Sequence, residues 1–508
     1  VANPPLTSAI TAFCAGLAVL GPAQAASAQG IGNDIALVDR LTWGLSPSSV
    51  ADFRAVGEAR FLERQLHPSR GADLPPAIQA EIAGFTISQT PMTQRVMVLQ
   101  QQRKAADALT DPVQKKAARD AYYKVLGQVG REAQLRALLR DVYSRDQMLE
   151  QMTWFWTNHF SVYQDKADIR PMLADYEDQI RIHALGRFRD LLGAVAHHPA
   201  MLRDLDNDQN AVGHVNENYA RELMELHTLG VDGGYSQKDV EQLARVLTGL
   251  GVRVDPDPPR LKPELQGLYV RRGLFEFNPA RHDYGDKQFL GHTIHGRGLG
   301  ETEEALDMLA RSPATARFIA RKLAVYFVSD APPKALVDRL AETFQRSDGD
   351  IAEVLKTLFA SPEFRASLGA RFKDPVHYAV SAVRLAYDER PILNAGPMVN
   401  WLNRMGEPLY GRQTPDGYPL TEAAWSGPGQ MAIRFEIARS VGSGSAGLFK
   451  LDAPGSTDQP AFPQVANALY FASLQARLRP ATRMALDQAS SPQEWNTLFL
   501  SSPDFMFR

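Results

Sequence analysis

Asp206 to Gly251, DNDQNAVGHVNENYARELMELHTLGVDGGYSQKDVEQLARVLTGLG, is the stretch on which the fold assignment turns. Between Asn216, a natural N-cap, and Gly230, a natural helix stop, Tyr219, Leu223 and Leu226 recur at the helical period. That spacing predicts an amphipathic helix with one stripe on a core, and a second helix follows before Gly251. The stretch also holds eight Asp or Glu, four Asn and two His. It sets the expectation for the whole chain: an all-helical protein whose chemistry sits on helix faces.

Outward from it, helical signals dominate. Ile35 to Leu66 reads as two short helices split at Gly44-Leu45-Ser46-Pro47, with Ser46 as N-cap and Pro47 at N1. A linker covers His67 to Gly84. Met92 to Val162 is helical almost throughout, broken near Thr110-Asp111-Pro112 and at Gly127, and its charged part, Gln100 to Lys124, reads as a solvated hairpin. Helices resume over Pro171 to Gly186, Phe188 to His197 and Glu301 to Tyr387. Residues 252–300 are rich in Pro, Gly and aromatics, and the alternation in LYVRRGLFEFN predicts a small hairpin. Ser-Pro pairs at Ser312, Ser361, Ser491 and Ser502 punctuate helices. The fold class is therefore mainly α: a large multi-helix domain with a small irregular or β-hairpin insertion. Residues 1–28 form a signal segment, 29–390 the helical core with its 252–300 insertion, and 391–508 a loop-rich and helical portion packed on that core.

Composition narrows the function classes. With 508 residues and a net charge of −3, nothing argues for a nucleic-acid surface. No apolar run beyond the N-terminus is long enough for a membrane span. Ile10 to Gly21 is apolar and is followed by Pro22 and AQAASA, the pattern of a secretory signal cleaved after Ala25 or Ala28, although no Lys or Arg precedes it. The expectation is a periplasmic or secreted protein. Cys14 falls inside that segment, so a mature chain free of cysteine is expected, without disulfides, thiolate metal sites or Cys nucleophiles.

Within the opening stretch, Glu217, Arg221 and Glu225 form an i, i+4, i+8 ladder on the far side from Tyr219, equally readable as a solvated ion-pair run. Glu222 falls roughly 70° from the centre of the apolar stripe, at the border of burial. Partial desolvation there raises a carboxyl pKa toward the range useful in acid–base work, which makes Glu222 the leading catalytic candidate. Asp206 is the preferred second carboxylate, because Glu217 lies on the opposite helix face; Glu225 and His227 complete the catalytic set. Arg221, Asn207, Asn216, His159, His183, Trp154 and His282 are the candidate substrate-binding residues. His227 and His183 stand near helix ends, where a protonated ring complements the dipole. His183 continues the stripe of Tyr176 and Ile180, and His159 that of Met148, Met152 and Phe155, the ordinary place for a core histidine. Three such rings near a carboxylate-rich helix would also suit zinc or iron, yet no HExxH or ExxH spacing is present. No cofactor is expected, and a divalent metal stays as the alternative. The Asp204 to Asn210 oxygens are spaced like a calcium loop but lack its Gly and Glu, so Asx-turn caps are expected. Trp154, Trp156, Trp401, Trp425 and Tyr418 offer sugar-stacking faces or core packing. No GxSxG, Walker loop or dinucleotide fingerprint occurs.

NENYARELMELHTLG with GYSQKDVEQLARVLTG, together with WFWTNHF, ALGRFRDLLGAVAHHPAMLRDLDN, RHDYGDKQFLG and the GEPLYGRQTPDGYPL segment, resembles the exported bacterial family called domain of unknown function 1800. The likeness covers roughly Leu37 to the C-terminus. It departs at Gly417-Tyr418, where the family has Gly-Trp, and at Leu250, where it has Trp. The resemblance implies export, a largely helical fold and an exported partner resembling the sulfatase and alkaline phosphatase group; it implies no activity. From the residues, the expectation is an exported enzyme using carboxylate and His acid–base chemistry on an extracellular polymer, a polysaccharide first of all. The alternatives are a non-catalytic scaffold or accessory protein and a His/carboxylate metalloenzyme.

Overall fold

The computed structural model describes residues 34–69, 74–166, 168–451, 455–457 and 461–508. The expected signal segment, its cleavage points and Cys14 lie outside the described residues. Helices make up 61% and strands 5%, so the fold is mainly α. Among the described residues no helix is long and apolar enough to cross a membrane.

Two helices, Gln147–His159 and Pro375–Tyr387, are buried almost all round. A helix without a polar face exists only if neighbours cover every side. Glu58–Leu66, the long Pro112–Tyr143 helix and Leu173–His183 cover the first; Pro112–Tyr143, Gly396–Arg404 and Pro428–Gly442 cover the second. The indole of Trp156 is fully buried and donates to Ala184 O at 2.9 Å, so even this aromatic run satisfies its polar atom. One continuous apolar core runs from Ile35 to Met506, joining residues on both sides of position 390.

The punctuation acts as the sequence suggests at Ser46, Ser312, Ser361 and Ser491, each accepting a first-turn amide ahead of a helix-starting proline. Ser502 heads only a turn. Other boundaries differ. The expected 67–84 linker contains the helix Pro76–Gly84, and Gly57 adds a break between Pro47–Val56 and Glu58–Leu66. Gly127 breaks nothing: Pro112–Tyr143 runs 32 residues through it. One helical glycine costs only about 1 kcal/mol, and buried Leu126 and Val129 beside it outweigh that. The helix expected from Asn216 to Gly230 spans Asn218–Glu225. Asn216 caps it from outside, its Oδ1 accepting from Asn218 N at 3.0 Å. The chain turns away after Leu226, closing with Gly230 N to Met224 O at 3.1 Å and a φ of +83° at Gly230. The insertion holds two small antiparallel sheets. Strands β1 (Leu250–Val252), β2 (Val270–Arg272) and β3 (Phe275–Phe277) pair in the order β1-β3-β2, and β4 (Lys287–Phe289) pairs with β5 (His292–Ile294).

Residues 406–420 cross the end of the Gln147–His159 helix, where Asn158 clamps them. Its Oδ1 accepts from Tyr418 N at 2.6 Å and its Nδ2 donates to Tyr418 O at 3.0 Å. Gly417, with φ +74°, passes so close that a Cβ would lie 2.1 Å from Asn158 O. Gly417→Ala is therefore expected to cost at least about 2 kcal/mol, through left-handed strain and the backbone clash. Gly127→Ala, with open space around its Cβ position, should instead stabilise by about 0.5–1 kcal/mol. Urea denaturation of the two variants beside wild type reads both signs.

Candidate functional site

The Asn218–Glu225 helix turns its ladder outward. Arg221 lies 3.0 Å from Glu217 and 3.5 Å from Glu225, and Gln237 bonds both Arg221 and Glu217. Glu222 is half-buried, and its carboxyl is raised by burial and then by the charge of Glu225, with Arg221 opposing and Asp416 adding. Asp206, in a left-handed turn with φ +58°, pairs instead with Lys166 at 3.0 Å. Asn207 and Asn210 are buried. Asn207 donates to Leu247 O and Leu250 O at 3.2 Å each, and Asn210 to Ala244 O at 2.8 Å. With Asn216 donating to Asp206 O, these amides tie the 204–216 loop to the Gln237–Val246 helix and β1.

The histidines separate. The His227 ring is fully buried, neither nitrogen has a partner among the described residues, and burial with the Lys322 charge pushes it down to about 3. It is a neutral ring, not a cation on a helix end. Beside it His159 is also held far below its ordinary value by burial, with Nε2 3.1 Å from His227 O and Nδ1 facing Lys322 Nζ at 2.8 Å. Burial lowers half-buried Lys322 to about 8 against the pull of Asp416. His282 is buried between Thr248 O and Glu301 Oε1, each at 2.8 Å. Burial alone would raise Glu301, but bonds from His282, Lys287 and the Arg297 and Gly298 amides bring it to about 2. His282 thus pins the insertion to the Leu299–Arg311 helix. His183 lines a surface cleft with His197 and His198. Among the described residues no three His, Cys, Asp or Glu are arranged to hold a metal.

The strongest convergence of ionisable groups lies elsewhere. Asp141, Glu150, Glu177 and Glu407 line one narrow cavity of about 50 Å³, room for a few waters. Of the residues singled out from the sequence, Trp154 and the candidate stacking residue Tyr418 lie on its wall. Asp141 comes from the Pro112–Tyr143 helix, Glu150 from Gln147–His159, Glu177 from Leu173–His183 and Glu407 from the 406–420 loop.

Their environments split them into two kinds. Glu150 is gripped by Arg181, with Nη2 2.6 Å from Oε1. Glu177 faces Arg140 at 3.1 Å and Arg136 at 3.6 Å, and the Tyr410 hydroxyl donates to its other oxygen. Asp141 and Glu407 have no ion pair among the described residues. Burial pushes both carboxyls well above the usual range, with the charges of Glu150 and Glu177 adding at Asp141 and that of Asp374 at Glu407. Glu407 Oε2 accepts from Val376 N at 3.1 Å, while its Oε1 has no partner, and neither does Thr157 Oγ1 on the same wall. Two carboxyls raised by burial and two carboxylates paired with arginine thus line one small cavity.

A signal for these residues was present. Glu177 has Leu173 four residues before it and Ile180 three after, and Asp141 has Leu138 three before. Each sits against an apolar stripe, the same test that singled out Glu222. The pairing of four separate segments around one cavity has no local signature.

The model of the family described as "Protein of unknown function (DUF1800)" matches residues 36–507. No curated protein and no solved structure matches the chain.

A carboxyl whose folded-state pKa lies above its unfolded value of about 4.3 contributes fully below that pH and loses its contribution as pH climbs toward the folded value. Glu407 is such a group. The stability of Glu407→Gln relative to wild type should therefore rise as pH climbs above about 4.3. Denaturation midpoints at matched pH read the trend, and a flat difference would mean that Glu407 ionises normally.

Proposed function

The chain belongs to this family of unknown function, and on that premise we propose that it is an exported acid–base hydrolase that cleaves an extracellular polymer, a polysaccharide first of all. One observation carries the reading: two carboxyls raised by burial and two paired with arginine face a single small cavity. Environments that force neighbouring carboxyls apart assign the acid and the base. Glu407, kept neutral, has an unpartnered oxygen and donates its proton to the leaving-group oxygen. Glu177, ion-paired and touched by Tyr410, takes the proton of the attacking water as the glycosidic carbon–oxygen bond breaks. Trp154 and Tyr418 on the wall provide aromatic faces. The cavity is narrow, so a polymer reaches these groups once the stretch around Gly417 and Tyr418 lifts off Asn158 while Glu407 stays bonded to Val376 N. Glu222 is the second candidate acid, through its partial burial and its proximity to Asp416 of that loop.

A second reading has its own support. Arg181 holds both oxygens of Glu150, and Glu177 is saturated by arginine and tyrosine, as in a cluster that only fixes helix packing. In that reading the protein is a non-catalytic exported accessory to a sulfatase-like partner.

Product release from a panel of bacterial and plant polysaccharides by wild type, Glu407→Gln and Glu222→Gln separates the readings. Loss of about 100-fold or more in kcat/KM for Glu407→Gln, with Glu222→Gln near wild type, supports the cavity. The reverse pattern moves the centre to the Asn218–Glu225 helix. No product from folded wild type sinks the hydrolase reading and leaves the accessory one.

A further inference from the structure

A second cavity, of about 300 Å³, shares no lining residue with the first. It lies between the 34–41 helix, the 368–373 connection, the Pro375–Tyr387 helix and the C-terminal residues 474–507. About half of its wall is apolar, with Leu368, Leu385, Leu474, Leu478 and Phe499 along it. Such a volume sits at the lower end of small-molecule sites, which combine an apolar wall with a few polar groups.

The polar groups here are unusual. Lys373 lines the cavity at 3% exposure, and among the described residues its ammonium has neither an ion pair nor a hydrogen-bond acceptor. Its Nζ stands 4.0 Å from the centroid of the Phe505 ring, a face that attracts cations but does not replace an anion. A lysine kept only for its stem would carry its head to the outer surface; the head of this one opens onto the cavity. Burial lowers its pKa, the Asp39 charge opposes that, and Arg508 and Arg434 add to the fall. Asp39, on the same wall, has a buried Oδ1 with no partner. Arg479 stands 3.5 Å from Asp504 and is thereby balanced.

We propose that this cavity binds an amphipathic carboxylate, a straight apolar chain ending in a single carboxylate, with its head on Lys373 and its chain along the leucines and Phe499. The ligand supplies the acceptor that the buried ammonium lacks, and the chain fills space that no side chain occupies. Asp39 opposes the head and sets a ceiling on affinity.

Calorimetric titration of the purified full chain with decanoate, decan-1-ol and decylamine tests this, because the three probes share a chain and differ only in head group. Decanoate should bind with one site per chain and at least tenfold more tightly than the other two. Lys373→Met should weaken decanoate at least tenfold and leave decan-1-ol unchanged, and Asp39→Asn should tighten decanoate. Leu478→Trp, which fills the cavity but keeps the lysine, should abolish binding of all three. Equal affinity for the three head groups, decanoate binding unchanged in Lys373→Met, or no binding of decanoate by wild type would overturn the proposal. If Lys373→Met does not fold, the head-group series on wild type and the Leu478→Trp variant still decide it.

Discussion

Charge buried in a helical core is the constraint on which the rest of this structure depends. Around the Gln147–His159 helix, Arg136, Arg140 and Arg181 lie against Glu150 and Glu177. Removing one side of such a pair typically costs about 3–5 kcal/mol, because the other charge is left uncompensated. Other buried arginines reach main-chain carbonyls instead of carboxylates. Arg40 donates to Phe327 O, Ser367 O and Arg508 O, Arg384 to Gly44 O and Val142 O, and Arg95 to Pro171 O and Ile87 O. A guanidinium offers five donors in a fixed plane, so each of these side chains cross-links segments far apart in sequence. Arg40 alone joins the 34–41 helix to positions 327, 367 and 508.

That lattice makes the carboxylate cavity physically tenable. Four acids in one small pocket would repel one another and lose much of their hydration; two are compensated by arginine, and burial favours the protonated form of the other two. One loop completes the arrangement. Within residues 406–420, Glu407 brings the uncompensated acid, Tyr410 bonds Glu177, Arg412 pairs with Asp416 at 2.9 Å, and Gly417 and Tyr418 seat on Asn158. The Asp416 charge acts on Glu222 and Lys322 as well, so the same loop links the cavity to the helix that the sequence points to. The second cavity poses the converse problem, a buried cation without its anion.

Much of the architecture was legible along the chain. Helix-starting prolines behind serine caps, apolar periodicity and the alternation around β2 and β3 are local properties, and they produced the elements expected everywhere but at Ser502, which heads only a turn. So was the placement of His159 on an apolar stripe, and the outward ladder of Glu217, Arg221 and Glu225. The loop motif GEPLYGRQTPDGYPL was visible as a pattern, but its reasons were not: the tight passage of Gly417 over Asn158 and the contact of Tyr410 with Glu177 join residues hundreds of positions apart.

By itself the sequence determined the helical class, the site of the insertion and the family, because these follow from periodicity, caps and ordered motifs that neighbouring residues carry. Only the tertiary structure decided which charges are compensated. Glu222 and Glu177 look alike on a helical wheel. One meets water and the other meets Arg140, Arg136 and Tyr410, since burial and pairing depend on what the rest of the chain packs against each face.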